Sequence, residues 1–168
     1  MSEKTAKEQF LDDIKKYLGD DLLEIQDGYE FPNILIRKDR LHETCQWLKH
    51  EQHFIYLVDV FGTDRFTSEG RFEVIYNVVC LRTRVRIFLK VRVEEENPSL
   101  PTLSDIWRSA NWNERETYDM FGITFEGHPD LRRMYMPEDY QYYPLRKEFP
   151  LIGVPGSIEL PSTTPDKA

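Results

Sequence analysis

A regular alternation of side chains between residues 82 and 94 constrains this chain more than any other feature of its sequence. Aliphatic residues and Thr83 occupy every second position, and the intervening positions include Phe88 and five basic residues: Arg82, Arg84, Arg86, Lys90 and Arg92. Successive side chains of a strand point to opposite faces of its sheet. The alternation therefore predicts a strand with one aliphatic face on a core and one basic face turned away from it.

Further elements follow from hydrophobic spacing and from turn residues. Helices are predicted over 7–18, 40–53 and 111–121, and strands over 22–30, 33–37, 54–61, 71–81 and 82–94. Asp39 and Asn111 are the predicted N-caps of the second and third helices, with Glu114 as the capping-box partner of Asn111. Gly122 is predicted to end the third helix.

These elements predict an α+β fold, with a small mixed, largely antiparallel sheet and helices packed on one face. An extended Pro-rich C-terminal tail follows, since seven of the ten prolines lie at or beyond Pro129. Proline at this density prevents long helices and central strands. The tail also carries many large apolar side chains, among them Tyr135, Leu151 and Ile152. We therefore predict an α+β domain over 1–125 and a tail over 126–168 that wraps partner subunits.

Composition excludes several classes of protein. The chain has 168 residues and a net charge of -8, which argues against a nucleic-acid partner. Its longest stretch without charged residues is far shorter than the roughly 20 apolar residues of a membrane-spanning helix. The polar N-terminus does not resemble a signal peptide. Cys45 and Cys80 lack the short spacings of a zinc or iron–sulfur site. His50 and His53 have two interpretations, as part of a solvated helix end or as half of a metal site.

The basic face of the alternating strand has two interpretations. The favoured one is a solvated face whose charges are balanced by neighbouring acidic residues. The other is a docking surface for an acidic partner, because five basic residues on one face are unusual in an acidic chain.

Residues 114–150 form the densest local signal. Glu114, Glu116 and Asp119, together with His128, suit general acid–base chemistry. Arginine residues at positions 115, 132 and 133 favour a different interpretation, a structural network of ion pairs and charge-assisted hydrogen bonds. In that interpretation Arg115, Glu116 and Asp119 belong to one buried or interfacial network.

This stretch resembles the signature of the 30 kDa subunit family (the C subunit) of proton-pumping NADH:quinone oxidoreductase, respiratory complex I. The matching positions, which we take as family-signature or interface residues, are Glu114, Arg115, Glu116, Asp119, Gly122, Gly127, His128, Pro129, Arg132, Arg133, Pro137, Asp139, Pro144, Leu145, Arg146 and Lys147. The run from Tyr140 to Tyr143 departs from the family pattern, which affects only the local path of the tail.

The resemblance implies a non-catalytic, cofactor-free scaffold subunit of the hydrophilic arm. Its expected partners are the 49 kDa-type subunit (the D subunit) and the subunit that holds the terminal iron–sulfur cluster (the B subunit). NADH, FMN, the iron–sulfur clusters and quinone then belong to the complex and not to this chain. The expected location is peripheral, on the cytoplasmic side of the cell membrane, through the complex. The end of the sequence at Ala168 indicates a stand-alone subunit and not a fused one.

Three alternatives stay open at this point. The first is the equivalent subunit of a relative with another electron donor, such as a photosynthetic or archaeal complex or a membrane-bound hydrogenase. The second is an independent enzyme that uses His128 with Glu114 or Glu116. The third is a free-standing binding module whose basic strand face docks an acidic protein.

Overall fold

The structure is a computed structural model that describes residues 5–27, 30–67 and 69–154. Its elements, in chain order, are α1 (Ala6–Leu18), β1 (Leu22–Gln26), β2 (Asn33–Ile36), α2 (Leu41–His50), β3 (Tyr56–Asp64), β4 (Phe72–Cys80), β5 (Val85–Val93), β6 (Ser99–Pro101), α3 (Ala110–Phe121) and β7 (Thr124–Glu126). Short 3₁₀ helices at Gly19–Asp21 and Lys38–Arg40 precede β1 and α2.

Five strands form the main sheet in the order β1-β2-β5-β4-β3. Only the β2–β5 pair is parallel, and the other three pairs are antiparallel. Strands β6 and β7 form a separate two-stranded parallel sheet. The predicted α+β fold with a mixed, largely antiparallel sheet is therefore confirmed.

The core lies on one face of the main sheet. The aliphatic residues of β5 are all buried there, as the alternation predicts, with Ile87, Leu89 and Val91 fully enclosed. Apolar side chains of α1 and α2, such as Ile14 and Leu48, complete the same cluster. Full burial of a side chain of this size stabilises the fold by about 1.5–3 kcal/mol, so these two helices are held mainly by their apolar faces.

Three predicted elements in the first half of the chain have wrong boundaries. Strand β1 ends at Gln26 and not at residue 30, and β3 runs on to Asp64 instead of ending at residue 61. Helix α2 covers Leu41–His50 and has no side-chain cap, because Asp39 lies inside the preceding 3₁₀ helix. A residue within that turn cannot occupy the extended N-cap position.

The alternating strand is shorter than predicted, because it begins at Val85 and not at residue 82. Residues Leu81–Arg84 form the turn that joins β4 to β5, and Arg84 has a φ of 59° there. The chain reverses direction in this turn, although the alternation of the sequence continues through it. The alternation is therefore longer than the strand. Only Arg86, Lys90 and Arg92 of the five basic residues lie on the strand face.

The predicted start of α3 is also wrong. The helix begins at Ala110 after Ser109, and no side-chain capping bond forms there. Asn111 is inside the helix, and the Glu114 carboxylate points instead to the loop before the helix. Sequence spacing satisfies the capping-box rule, but burial of Glu114 against another segment prevents the reciprocal bond. At its other end α3 stops at Gly122, as predicted, in the left-handed conformation.

The C-terminal segment, defined here as residues 127–154, forms turns but neither a helix nor a strand. It runs along the domain, where the side chain of Tyr140 is buried. Residues 155–168, the rest of the predicted tail, lie outside the described residues. Across the described ranges, every helix is too short or too polar to span a bilayer.

Candidate functional site

Helix α3 carries four of the sixteen signature residues and lies along β3, an edge strand of the main sheet. The hydroxyl of Ser109 donates to the carbonyl oxygen of Leu57 at 3.1 Å, and that of Thr117 donates to Val60 at 3.4 Å. Carbonyl groups on a bare edge strand invite pairing with another chain, so these bonds protect the edge. The opposite side of α3 is thereby directed toward the C-terminal segment.

Asp119 binds the C-terminal segment through a fully buried carboxylate. Its Oδ2 accepts backbone N–H bonds from Met134, Tyr135 and Met136 at 2.7–3.0 Å, and its Oδ1 accepts from Nη1 of Arg133 at 2.8 Å. Burial alone would raise the pKa of this carboxyl. The three N–H donors and Arg133 lower the pKa instead, because they favour the ionised form.

Arg115 contacts the same segment one helical turn earlier. Its Nε donates to the carbonyl oxygen of Arg132 at 3.1 Å and its Nη2 donates to that of Arg133 at 3.4 Å. The guanidinium lies 4.9 Å from the centroid of the Trp112 ring, within the range of a cation–π contact. Arg115 therefore satisfies carbonyl groups of a segment that has no regular structure of its own.

Gly122 allows the next part of the segment to pass close to the end of α3. Its φ is 75°, and an added Cβ would lie 2.6 Å from the Tyr143 ring and 2.8 Å from Arg146. Nε of Arg146 donates to the carbonyl oxygen of Phe121 at 2.7 Å, which satisfies a helix-end acceptor. A side chain at position 122 would displace this contact.

A second buried carboxylate, Asp64 at the end of β3, holds the last part of the segment. It binds Arg71 through two bonds of 3.2 and 2.9 Å and accepts the backbone N–H of Lys147 at 2.9 Å. Arg71 also pairs with Glu148 and Glu95. Burial would raise the pKa of Asp64, but the bonds from Arg71 and from the N–H groups of Lys147 and Phe66 lower it to about 2.

Glu114 is a buried carboxylate of a different kind. Its oxygens accept from the Thr102 hydroxyl at 2.6 Å and from the Leu103 N–H at 2.7 Å. No lysine or arginine of the described residues pairs with it, and Nε2 of His128, which carries a charge only when the ring is doubly protonated, lies 3.9 Å away. Burial without a cation raises the pKa of Glu114 to about 7, against the opposing effect of the two hydrogen bonds.

His128 joins the start of the C-terminal segment to the first turn of α3. Nδ1 accepts the backbone N–H of Asp130 at 3.0 Å, so the ring proton belongs on Nε2. Nε2 then donates to the carbonyl oxygen of Asn111 at 3.0 Å. Both ring nitrogens are thus engaged by the backbone, which leaves no free nitrogen for proton transfer or metal binding.

The structure separates the predicted network of Arg115, Glu116 and Asp119. Arg115 and Asp119 face the C-terminal segment, whereas Glu116 is exposed and lines a groove beside β3. Arg132 forms a surface pair with Asp130 at 2.8 Å. The remaining signature positions lie in turns or irregular loops and are exposed or part-exposed: Gly127, Pro129, Pro137, Asp139, Pro144, Leu145 and Lys147.

Sequence reasoning missed Thr102, Asp64 and Arg71. Each lies before the signature in the chain, and Asp64 is separated from Lys147 by 83 positions. No local pattern marks such a contact. The closest signal is the pairing of an acid and an arginine on either side of the turn between β3 and β4.

The open face of the sheet agrees with the favoured interpretation of its basic residues. Glu73 pairs with Lys90 at 3.6 Å and with Arg92 at 3.2 Å, and Nε of Arg86 donates to Asn77 at 2.8 Å. Elsewhere in the described ranges, no group of three or more His, Cys, Asp or Glu side chains is placed to hold a metal ion. Cys45 and Cys80 are buried free thiols.

The fold and the site together define the class of this protein. It is an α+β domain whose signature helix binds the C-terminal segment of the same chain. The model of one family, described as the respiratory-chain NADH dehydrogenase 30 Kd subunit, matches residues 34–155. The chain therefore belongs to this family, and the resemblance inferred from the signature is confirmed.

Two relatives and a solved structure add detail. The NADH-quinone oxidoreductase C subunit of Roseiflexus sp. (strain RS-1) is 46% identical over 121 residues, which cover 71% of this chain and 70% of the relative. The second NADH-quinone oxidoreductase C/D subunit of Aquifex aeolicus (strain VF5) is 39% identical over 159 residues, which cover 95% of this chain and 25% of that longer protein. The solved trypsin-resistant fragment (1-134) of Nqo5 superposes with a TM-score of 0.66 at 36% identity, and the match covers 74% of this chain and 99% of the fragment.

Proposed function

We propose that this chain is a scaffold subunit, without cofactor or catalytic residue, in the peripheral arm of an NADH:quinone oxidoreductase. The observation that carries the proposal is the use of the signature residues. Arg115, Asp119 and Gly122 position the C-terminal segment of the same chain. In the complex, electrons pass from NADH through FMN and iron–sulfur clusters to quinone, and this chain supports that transfer by holding its neighbours in place.

The same contacts oppose an independent enzyme. Glu114 is enclosed by Thr102 and Leu103, and both nitrogens of His128 bind the backbone. A general base must reach the proton that it removes. These two groups reach only their own domain.

The partners that we propose are the D subunit, of the 49 kDa type, and the B subunit, which holds the terminal cluster. Support for the D subunit comes from the Aquifex relative, whose name joins C and D in one protein. A fusion of two subunits supports neighbouring positions for them in the assembly. Through these partners the chain would lie at the cytoplasmic side of the membrane, as a peripheral subunit.

Purification of the tagged chain from membranes in mild detergent tests the proposal. Co-elution of FMN- and iron–sulfur-containing subunits, with inhibitor-sensitive NADH:quinone turnover, is the expected result. Recovery with a different electron-input module would leave the family assignment unchanged and indicate an electron donor other than NADH. Recovery of the chain alone from the soluble fraction would contradict the proposal.

The proposed wrapping of partners by the tail needs its own test. Leu151 and Ile152 are exposed at the end of the C-terminal segment. Deletion of residues 151–168 leaves the contacts of Asp64 and Asp119 in place, so the domain should fold while the yield of complex falls. An unchanged yield of complex would reject the wrapping of partners by these residues.

A further inference from the structure

A groove beside the edge strand β3 contains acidic side chains that take no part in the contacts described above. Its apolar floor and acidic rim are lined by Asp59, Phe61, Gly62, Glu116, Met120 and Leu145, among others. Its volume is about 110 Å³. Pockets for cofactors or drug-sized ligands measure roughly 300–1,000 Å³, and a cavity of about 150 Å³ accommodates benzene. The groove therefore fits one inserted side chain and not a small-molecule substrate.

Neither carboxylate of the groove has a cationic partner among the residues that the structure describes. Glu116 is exposed and makes no hydrogen bond or ion pair within the part of the chain that the structure describes. Asp59 is half-buried, and within the described ranges its one hydrogen bond comes from the neutral amide of Asn113. No lysine or arginine contributes to the lining. Two uncompensated carboxylates over an apolar floor are complementary to a basic group on a long apolar stem.

The C-terminal segment completes this groove. The backbone N–H of Leu145 donates to the carbonyl oxygen of Met120 at 3.1 Å, and the neighbouring Arg146 binds Phe121. The Leu145 side chain is 54% exposed at the groove wall, and Phe61 opposite is 37% exposed. Gly62 keeps the floor open to the Phe121 ring, since an added Cβ would lie 2.8 Å from it. The wall thus exists only while the signature residues hold the segment.

We propose that this groove receives an arginine side chain from a neighbouring subunit of the complex. The arginine stem lies on Phe121 and Met120, and its guanidinium binds Glu116 and Asp59. Arginine suits the site better than lysine, because its planar donors match two carboxylates and it stacks on aromatic rings. Arginine side chains in small desolvated pockets are also typical of the residues that dominate interface affinity. This inference rests on the proposed function, since the partner is another subunit.

The test uses the tagged full chain in its membranes, with partner subunits quantified per tagged chain at increasing salt. Glu116→Gln removes the charge with little change in shape, and Glu116→Arg reverses it. We expect retention of partners to fall about tenfold or more with Glu116→Gln, and further with Glu116→Arg. Glu51→Gln, which neutralises an exposed acid at the end of α2, is the matched control and should retain partners as the unmodified chain does.

A cross-link identifies the occupant. Cys45 and Cys80 are buried, so Leu145→Cys, at the exposed groove wall, supplies an accessible thiol for a photo-reactive label and keeps both carboxylates. We expect the attached peptide to belong to a subunit of the complex and to contain an arginine beside apolar residues. A peptide without arginine, or full retention of partners by Glu116→Arg, would overturn the groove proposal. Failure of the unmodified chain to bind FMN- and iron–sulfur-containing subunits would instead overturn the proposed function.

Discussion

The guanidinium of Arg133 donates to the carboxylate of Asp119 across 2.8 Å, and the two side chains are only 7% and 0% exposed. The pair joins α3 to the C-terminal segment, which otherwise has no regular hydrogen bonding of its own. A buried ion pair contributes little net stability when it is complete, but loss of one partner leaves an uncompensated buried charge. The pair therefore specifies where the segment lies.

Replacement of Asp119 by asparagine should destabilise the protein by about 3–5 kcal/mol, because Arg133 would stay buried without a counter-charge. Urea denaturation of the full chain measures the loss, and limited proteolysis should cut within residues 127–154 faster. Asp130→Asn is the control, since Asp130 pairs with Arg132 at the surface and its replacement should leave stability nearly unchanged. Equal effects of the two substitutions would show that Asp119 does not hold the segment.

Gly122→Ala should destabilise the folded protein by more than the backbone strain of the alanine alone. At a φ of 75° an alanine is disfavoured by roughly 1–2 kcal/mol, and its Cβ would also collide with Tyr143 and Arg146. Gly127→Ala provides a comparison, because its φ is 79° and the atom nearest to an added Cβ lies at 3.5 Å, an ordinary contact distance. Thermal unfolding should give a larger decrease for Gly122→Ala. A similar decrease for both would mean that the segment yields easily at this point.

The sequence predicted the sheet because its signal is local. The aliphatic positions of β5, such as Ile87 and Leu89, face the core as the alternation requires. Turns were predicted less well, because a continuing alternation cannot show that Arg82 and Arg84 lie beyond the strand. The same limit applies at Glu114, where the local capping rule was outweighed by a contact with a distant loop.

The candidate site was predicted only in part, and for the same physical reason. The signature named Asp119 and Arg133, but spacing could not show that they meet each other and not a partner subunit. Asp64 and Arg71 carry only the weak signal of an acid and an arginine on either side of a turn, since the bond between Asp64 and Lys147 depends on the path of the whole chain. Glu116 was placed with Arg115 by helical spacing, yet the two side chains leave α3 toward different neighbours.

Glu114 makes stability depend on pH near neutrality. Its pKa rises from an ordinary 4.5 to about 7 on folding, so the folded state favours the protonated form. The contribution is fully present below pH 4.5 and is lost as pH rises through 7. A shift of this size amounts to about 3 kcal/mol.

Glu114→Gln tests this dependence, because glutamine resembles the protonated carboxyl. The free energy of unfolding, measured in urea between pH 5 and 8, should fall with pH in the unmodified protein. The variant should lack about 3 kcal/mol of that fall and gain relative stability at pH 8. Parallel curves for the two proteins would show that Glu114 ionises freely in the folded state.

Asp64 should produce the opposite dependence in acid. Its pKa falls from an ordinary 3.8 to about 2 on folding, since Arg71 and the N–H groups of Lys147 and Phe66 favour the ionised carboxylate. The contribution, about 2 kcal/mol, is present above pH 3.8 and is lost as pH falls through 2. Thermal unfolding should therefore show Asp64→Asn less stable than the unmodified protein at pH 6, with the difference shrinking by about 2 kcal/mol toward pH 2.

Glu148→Gln, which removes a half-exposed partner of Arg71, should change stability by less than about 1 kcal/mol. A difference between Asp64→Asn and the unmodified protein that stays constant from pH 6 to pH 2 would mean that Asp64 holds the segment by shape and not by charge.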